Sequence, residues 1–496
     1  MTGRGLDVAV VGSGFAGLLV ARELVRAGRD VTVFERGGLL SHREQLEHSR
    51  QEVDGPTAAH NHETDPSTPY RWDYAFAVGG GSTHWTGAAP RLLPSDFEMR
   101  TRFGVGLDWP VSYAELVPYY REAEQLMGVA AGTNPLVGEE PMGALAPHRL
   151  SPLDELLAEP LAPLVAMPQA RATRELGGRA VCCGATVCRL CPVDARFSML
   201  HLLDDTGLGS DPRLTIRDRT VVARLHTQGG RVDSLETVDA RRERGSVRAA
   251  TVVLAAGGLE NPGLLLRSGL SWGSVGRFLY DHGHRMVHLA LDRPVPNGRG
   301  SALTTGMSYA WAEGEWRSGR GAQLVIPYNP GLELWSVLTH EIASGASGGS
   351  LREEARARYE RTLLLDTVGE DLPRAERRVE LSPSKDPFGL PLNRIVYPPD
   401  DGYVERGRQA MLDELVERLR PLGARIVDME YVGLGAHQLG TCRMGGVVDG
   451  DGRHRRLENL FVTGGSAFPS YSAAHPTLTI CALAIRLGRL LAGARS

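Results

Sequence analysis

The sequence predicts an α/β fold in which a second domain is built on its own sheet. Residues 8–11 are a short, β-branched apolar run, which suits a strand buried on both faces. A helical apolar stripe follows, Gly28 ends it, and residues 31–34 form a second strand. Residues 285–400 differ in character, because glycine-rich turns and one highly charged helix at 351–364 interrupt strand-like alternation. We therefore expect this later part to be a separate domain.

Length and composition are those of an ordinary globular protein. The chain of 496 residues is long enough for two or three domains, with 42% hydrophobic and 23% charged residues. A net charge of -4 argues against nucleic acid as the main partner. No apolar run is long enough to span a membrane, and neither a leader nor a twin-arginine signal precedes the first strand. We therefore expect a cytoplasmic protein.

The turn between the first strand and its helix carries a dinucleotide-binding signature. It is GSGFAG at residues 12–17, a G-x-G-x-x-G, and Glu35 follows the second strand. Glycines let the backbone approach a pyrophosphate, the helix N-terminus offers it unpaired N–H groups, and a carboxylate about 20 residues on binds the ribose. We predict a dinucleotide site with Gly12, Gly14, Gly17 and Glu35. This stretch alone leaves NAD and FAD open.

Further stretches occur in a characteristic order along the chain. After GSGFAG (12–17) come VGGGSTHWTGAAPR (78–91), VVLAAGGLENPGLLLRS (252–268), SPSKDPFGLPLNRIVY (382–397), HQLGTCRMGGVVD (437–449) and GGSAFPSYSAAHPTLTI (464–480). Together they resemble the glucose–methanol–choline (GMC) oxidoreductase family, whose members are FAD-dependent enzymes that oxidise alcohols. Within the family, the STHWT run is most similar to pyranose 2-oxidase-like bacterial sugar oxidoreductases.

The resemblance implies a doubly wound, Rossmann-like FAD-binding domain assembled from discontinuous segments, plus an α+β, sheet-based substrate-binding domain. We assign residues 1–280 and 431–496 to the FAD-binding domain, with a cover loop at about 37–75 and a cysteine cluster at 182–191. Residues 281–430 then form the substrate-binding domain. The FAD contacts that the resemblance implies are Gly12, Gly14, Gly17, Glu35, Gly80, Ser82, His84, Thr86, Val222, Ala256, Gly465, Pro476 and Thr477.

Two histidines in the C-terminal motifs are candidates for catalysis. Oxidising an alcohol to a carbonyl removes a hydroxyl proton and a hydride; flavin N5 accepts the hydride, and the protein supplies the base. Imidazole suits the proton step because its pKa of about 6.5 is near working pH. His437 and His475 stand where the family has its catalytic pair, so we expect His437 to be the base and His475 its hydrogen-bonding partner. An exchange of these roles, and a structural role for either ring, stay open.

His84 lies in the STHWT run. In pyranose 2-oxidase the matching histidine is bonded to the 8α-methyl group of the flavin, so the resemblance implies a covalent link through His84. The alternative is that His84 contacts FAD without a bond. Thr86 would lie near flavin N5 and O4; the alternative is that it packs a strand.

Cys182, Cys183, Cys188 and Cys191 form a compact cluster. Sulfur-rich ligation suits zinc or an iron–sulfur cluster. The arrangement resembles the iron–sulfur region of bacterial FAD-dependent glucose dehydrogenases, from which it departs by one residue in the last spacing. An iron–sulfur cluster would pass electrons to a protein acceptor. Zinc, a disulfide and reduced structural cysteines are the alternatives.

We therefore predict FAD-dependent oxidation of an alcohol group of a sugar or sugar-like small molecule, with oxygen or an unidentified electron acceptor. Oxidation of a hydroxyl on an aminoglycoside or other secondary metabolite is an alternative within the same class. A NAD-dependent dehydrogenase and a non-catalytic flavin redox protein are alternatives from other classes, and the two histidines argue against the second. The motifs leave oxidase and dehydrogenase open.

Overall fold

The computed structural model describes residues 5–51, 61–68, 71–72, 74–138, 141–185, 188, 190–299, 302–399, 402–431 and 434–493. Its strands are β1 (Leu6–Val11), β2 (Val31–Phe34), β3 (His62–Thr64), β4 (Arg71–Trp72), β5 (Leu164–Ala166), β6 (Leu214–Arg217), β7 (Thr220–Gln228), β8 (Arg231–Asp239), β9 (Arg244–Val247), β10 (Ala249–Leu254), β11 (Gly283–Ala290), β12 (Gly306–Trp311), β13 (Gln323–Pro327), β14 (Thr362–Gly369), β15 (Arg378–Lys385), β16 (Pro391–Val396), β17 (Arg425–Tyr431), β18 (Leu434–Gly435) and β19 (Leu460–Val462). Its α-helices are α1 (Phe15–Arg26), α2 (His42–Gln51), α3 (Met99–Phe103), α4 (Tyr113–Met127), α5 (Pro152–Leu157), α6 (Met199–Asp205), α7 (Gly257–Arg267), α8 (Leu334–Ala343), α9 (Gly348–Arg361), α10 (Tyr403–Leu419) and α11 (Thr477–Gly493).

A five-stranded parallel sheet, ordered β19-β10-β1-β2-β6, forms the first layer. Val8, Ala9 and Val10 on its central strand are all 0% exposed. Successive strand residues point to opposite faces, so the sheet is covered on both sides. The predicted α/β class and the buried first strand are confirmed. The sheet combines strands from both ends of the chain, because β10 pairs with β1 on one side and with β19 on the other.

A six-stranded antiparallel sheet, ordered β17-β11-β14-β13-β12-β5, forms the second layer. All its strands except β5 come from the later part of the chain, where the sequence predicted a separate sheet. One face packs against α5 and α10 through buried leucines. The predicted charged helix corresponds to α9, which ends at Arg361 because β14 begins there and buries Leu363. The division at residue 280 stays a prediction.

Smaller sheets complete the described part of the chain. β7, β8 and β9 form an antiparallel meander, β15, β16 and β3 form a second small sheet, and β4 pairs with β18. The predicted cover loop contains α2, whose first turn is capped by reciprocal hydrogen bonds between Ser41 and Glu44. Its sequence HREQLEHSRQ has no apolar stripe, so periodicity could not reveal it. Residues 52–60, 69–70 and 73 of that loop lie outside the described residues.

The glycine-rich turn after β1 is held by a close backbone approach. Gly12 has a φ of +98°, in the left-handed region that favours glycine. A Cβ built on Gly17 would lie 1.9 Å from the Gly12 carbonyl oxygen. The third glycine therefore lets α1 pack onto the turn, as the motif predicts. No helix within the described ranges combines the length and apolar character that a membrane crossing requires.

We expect Gly17→Ala to lower the free energy of unfolding by at least about 1–3 kcal/mol, because the added methyl group overlaps the Gly12 carbonyl. Flavin content after purification should fall with it. Gly349→Ala is the matched control, since it makes the same change in the first turn of α9, where a Cβ would meet no atom within 4 Å. Thermal unfolding and flavin absorbance measure both effects. Equal unfolding free energies and equal flavin contents of the two variants would contradict the predicted overlap at the Gly12 carbonyl.

Candidate active site

A cavity of about 560 Å³ brings predicted nucleotide-binding and catalytic residues together. Residues of the parallel sheet, of the six-stranded sheet and of the segments between them line it. The predicted residues in this lining are Gly12, Gly14, Glu35, Gly80, His84, Thr86, Val222, Ala256, His437, Gly465, His475, Pro476 and Thr477. Segments from both ends of the chain therefore face one space.

Gly17 and Ser82 were also predicted to bind the cofactor, but neither is among the residues that line the cavity. Each contacts one of the two glycine-rich turns instead. Gly17 lies under the Gly12 carbonyl. The Ser82 hydroxyl donates to the Gly79 carbonyl (2.6 Å) and accepts from the Met199 N–H (2.9 Å). Ser82 is fully buried, so it holds the second glycine-rich turn in place.

Ser13, which sequence reasoning missed, links the two glycine-rich turns. Its hydroxyl donates to Glu35 Oε2 (2.7 Å) and accepts from the Gly79 N–H (3.2 Å). The Ser13 N–H donates to Glu35 Oε2 (3.0 Å), and the Gly37 N–H donates to Oε1 (2.8 Å). Burial raises the pKa of Glu35, while these hydrogen bonds oppose the rise. A small hydroxyl residue inside the motif is the only signal of this role in the sequence.

The first turn of α1 fits a dinucleotide. Gly14 is its N-cap and supplies no side-chain hydrogen bond to the first-turn N–H groups. A Cβ built on Gly14 would meet no atom within 4 Å, so there is open space on the cavity side of the turn. N–H groups at a helix N-terminus attract phosphate oxygens. Gly12 and Gly14 would therefore hold the pyrophosphate, and Glu35 the ribose.

Charged and aromatic side chains that the sequence did not single out line the same cavity. Arg36 Nη2 donates to Asp386 (2.7 Å), and the guanidinium carbon lies 4.4 Å from the centre of the Phe76 ring. Glu260 lies between Arg36 and Arg267, at N–O distances of 3.9 and 3.8 Å. These residues come from separate segments, so no local pattern connected them.

Four imidazoles pack together, and three of them, His284, His437 and His475, line the cavity. The ring centres of His437 and His475 are 5.4 Å apart, so the two predicted catalytic histidines do lie together. His282 packs 4.8 Å from His437, and its Nε2 is hydrogen-bonded to the Tyr471 hydroxyl. His284 lies 6.2 Å from His437 and lines the cavity with it. The sequence did not assign His282 or His284 to catalysis.

Two carboxylates stand beside these histidines. Asp366 Oδ1 is 3.2 Å from His284 Nδ1, and Asp281 Oδ1 is 3.8 Å from His437 Nδ1. Burial opposes the charged form of His284, but Asp366 and then Asp281 outweigh it and raise its pKa above the ordinary value. Burial also raises the pKa of Asp281 to about 6, against the opposing effects of His284 and of the His282 and His437 N–H groups.

His437 and His475 are held in the neutral form. Burial, followed by the charges of His475 and His284, lowers the pKa of His437 well below its ordinary value. Burial and His284 lower the pKa of His475 to about 4, and Asp366 opposes the change. A neutral imidazole keeps a lone pair and can accept a proton. The site therefore combines two proton acceptors with His284, whose surroundings favour the charged form.

The clustered cysteines lie outside the cavity lining, and all are free thiols. Cys188 and Cys191 are buried, Cys182 is half-buried and Cys183 is exposed. Within the described residues, no three of these sulfurs lie within 4.8 Å of one another. A tetrahedral zinc site with Zn–S bonds of about 2.3 Å needs sulfurs about 4 Å apart, so these thiols do not form one as they stand. The predicted iron–sulfur ligation stays a prediction.

Two buried arginines connect the cysteine cluster to the segment that carries His84. Arg171 Nη2 donates to the Thr86 carbonyl (2.6 Å), and Arg196 Nη2 donates to the Thr83 carbonyl (2.8 Å). Both arginines lie beside the thiols, since their charges act on Cys182 or on Cys191. Because Thr86 lines the cavity, Arg171 links its wall to the region of the cysteines.

A parallel sheet with a turn that fits a dinucleotide, and histidines in the same cavity, are typical of a dinucleotide-dependent oxidoreductase. Family models described as GMC oxidoreductase match residues 32–284 and 373–484, and a model described as FAD dependent oxidoreductase matches residues 7–45. The chain belongs to the GMC oxidoreductase family. It is an FAD-dependent oxidoreductase that acts on CH–OH groups of a small molecule, so the family prediction is confirmed and the NAD-dependent alternative is wrong.

Proteins of similar sequence and fold extend over nearly the whole chain. The chain is 30% identical to 6'''-hydroxyparomomycin C oxidase of Streptomyces lividus, over 98% of this chain and 91% of that protein. It is 28% identical to the fructose dehydrogenase large subunit of Gluconobacter japonicus, over 97% and 96%. The crystal structure of pyridoxine 4-oxidase from Mesorbium loti superposes with a TM-score of 0.67 at 20% identity, over 99% of this chain and 100% of that one. The last similarity concerns the fold alone.

Proposed function

We propose that the protein oxidises a hydroxyl group of a sugar or sugar-like molecule to a carbonyl, with His437 as the proton acceptor. The observation that carries the proposal is the neutral His437 imidazole in the cavity that the glycine-rich turns also line. The similarity to fructose dehydrogenase large subunit supports a sugar-like substrate. We assign substrate binding to residues 281–430, because His284, Ile326 and Asp366 from this segment face the cavity.

FAD, when bound, supplies the acceptor for the hydride that leaves the substrate carbon. His437 takes the hydroxyl proton, and the Asp281 carboxylate 3.8 Å from its Nδ1 stabilises the imidazolium that results. His475 holds the same hydroxyl by a hydrogen bond. The position of Asp281 beside His437 favours His437 as the base. The carboxylate that acts on His475 is Asp366, and Asp366 is hydrogen-bonded to His284 instead.

The N-terminus of α11 also faces the cavity. Pro476 and Thr477 line it, directly after His475, and the helix runs for 17 residues. A helix N-terminus carries a partial positive charge that stabilises nearby negative charge. The N-terminus of α11 would therefore stabilise a group in the cavity that becomes negatively charged during the reaction.

We expect His437→Ala to retain flavin and to lower kcat by about 10²–10⁴-fold, because the proton acceptor is lost. His340→Ala is the control, since His340 is an exposed histidine on α8. Steady-state kinetics with a dye acceptor and with oxygen measure turnover and separate a dehydrogenase from an oxidase. Wild-type turnover in the His437 variant would exclude this residue as the base.

A substrate that carries an amino group is the second candidate. Asp366 is an acidic residue in the cavity lining beside the histidines, whereas Glu260 lies with Arg36 and Arg267. A carboxylate in this position would attract a cationic amino sugar. The 30% identity to 6'''-hydroxyparomomycin C oxidase supports the same class of substrate.

Asp366→Asn separates the two substrate classes. If amino sugars are the substrates, kcat/KM for them should fall about tenfold or more relative to kcat/KM for neutral sugars. The ratio is the useful quantity, because loss of the His284 contact affects both classes. Asp413→Asn, an exposed change on α10, is the control. An unchanged ratio would leave the neutral sugar as the proposed substrate.

A covalent bond between His84 and FAD is proposed on the STHWT resemblance and on the position of His84 in the cavity lining. Acid precipitation of the wild-type protein should leave the yellow colour in the pellet, whereas His84→Ala should release it into the supernatant. His226→Ala, which changes an exposed strand residue, should behave as the wild type. Release of the colour from the wild type would show a non-covalent cofactor.

An iron–sulfur cluster at Cys182, Cys183, Cys188 and Cys191 would give the reduced flavin an electron acceptor inside the chain. The link from Cys182 through Arg171 to the Thr86 carbonyl at the cavity wall supports this role. The exposure of Cys183 and the spacing of the sulfurs favour reduced structural thiols instead. Stoichiometric iron and absorbance beyond the flavin bands in anaerobically purified protein are expected for the cluster. Flavin absorbance alone would exclude it.

A further inference from the structure

His288 is a buried histidine outside the cavity lining. It is 4% exposed, and neither of its ring nitrogens has a hydrogen-bond partner in the described part of the chain. An unsatisfied buried polar group costs about 1–3 kcal/mol, so an imidazole in this condition suggests a missing partner.

The pairing of β11 with β17 places two carboxylates on the same face as His288. His288 is directly opposite Asp428, and Met286 is opposite Glu430. Opposed residues in an antiparallel pair project to the same face, and so do residues two apart along a strand. A register shift after His288 interrupts the ladder at this point, and such irregularities re-aim side chains.

One ligand atom from each of His288, Asp428 and Glu430 lies within 4.8 Å of the others. His288 Nε2 is 3.7 Å from Glu430 Oε1. Asp428 Oδ1 also accepts the Met429 N–H (2.8 Å), which orients this carboxylate. Both carboxylates are exposed, so an ion can enter from solvent, and small rotations can bring the oxygens to a metal–ligand distance of about 2.0–2.2 Å.

We propose that His288, Asp428 and Glu430 bind a divalent first-row metal ion of the zinc or manganese type, outside the catalytic cavity. One imidazole and two carboxylates suit such ions and leave coordination positions for water. Arg358, a cation near His288, is directed to Glu341 at 3.7 Å. The ion ties the edge strand β17 to β11, whose same face carries His284 about 13 Å away along the strand.

The test uses the flavin-loaded protein after treatment with EDTA and gel filtration. Zn²⁺ titrated by calorimetry should bind with one equivalent per chain at this site and raise the melting temperature. Asp428→Asn and Glu430→Gln keep the side-chain shapes and should each weaken binding at least tenfold, and the double variant should lose this equivalent. Both residues are exposed, so the variants are expected to fold and to keep their flavin absorbance.

The double variant Asp413→Asn/Glu417→Gln is the matched control, since it removes two exposed carboxylates from α10. It should bind Zn²⁺ as the wild type does. Binding of Mn²⁺ distinguishes this site from the thiols, which do not favour that ion. It is measured as the loss of the electron-paramagnetic-resonance signal of free Mn²⁺. Equal binding of both ions by the wild type and the Asp428/Glu430 double variant would overturn the proposal. So would a wild-type protein that binds neither ion at millimolar concentration.

Discussion

The contact of Gly17 with the Gly12 carbonyl is the constraint on which the nucleotide side of the molecule depends. A side chain at residue 17 would overlap that oxygen, so only glycine lets α1 begin where it does. The position of α1 then sets Ser13, whose hydroxyl joins Glu35 to Gly79. The second glycine-rich turn packs on the first in the same way, since a Cβ at Gly80 would lie 3.0 Å from the Gly14 Cα. Close backbone packing therefore shapes the FAD site.

The catalytic side depends on how carboxylates are distributed among buried imidazoles. Burial alone would keep all four rings neutral. Asp366 overcomes this at His284, while His437 has only the more distant Asp281 and stays neutral. The pKa values of two chemically identical side chains are thus shifted in opposite directions within one cavity. Such a separation of pKa values is needed in a site where one ring accepts a proton beside another ring that favours its charged form.

The motifs predicted most of the site because each is local. GSGFAG requires glycine at fixed positions for steric reasons, and His437 and His475 stand in recognisable contexts. Local patterns could not show which residues act through packing or a distant partner. The Ser82 hydroxyl bonds Gly79 and Met199, and the contact of Ser82 with the cofactor stays a prediction. Helix α2 was not predicted because a polar helix shows no apolar period.

The sequence by itself determined the α/β class and the dinucleotide turn, because steric requirements restrict those residue types locally. Its resemblance to the GMC family indicated the two histidines of the proposed reaction. Only the tertiary structure decided which carboxylate meets which histidine. Asp366 reaches His284, and Asp428 opposes His288, through the registers of β14 and β17 on β11. A shift of one residue in either register would turn these side chains to the other face. Register follows from packing of the whole sheet, which no short stretch of sequence contains.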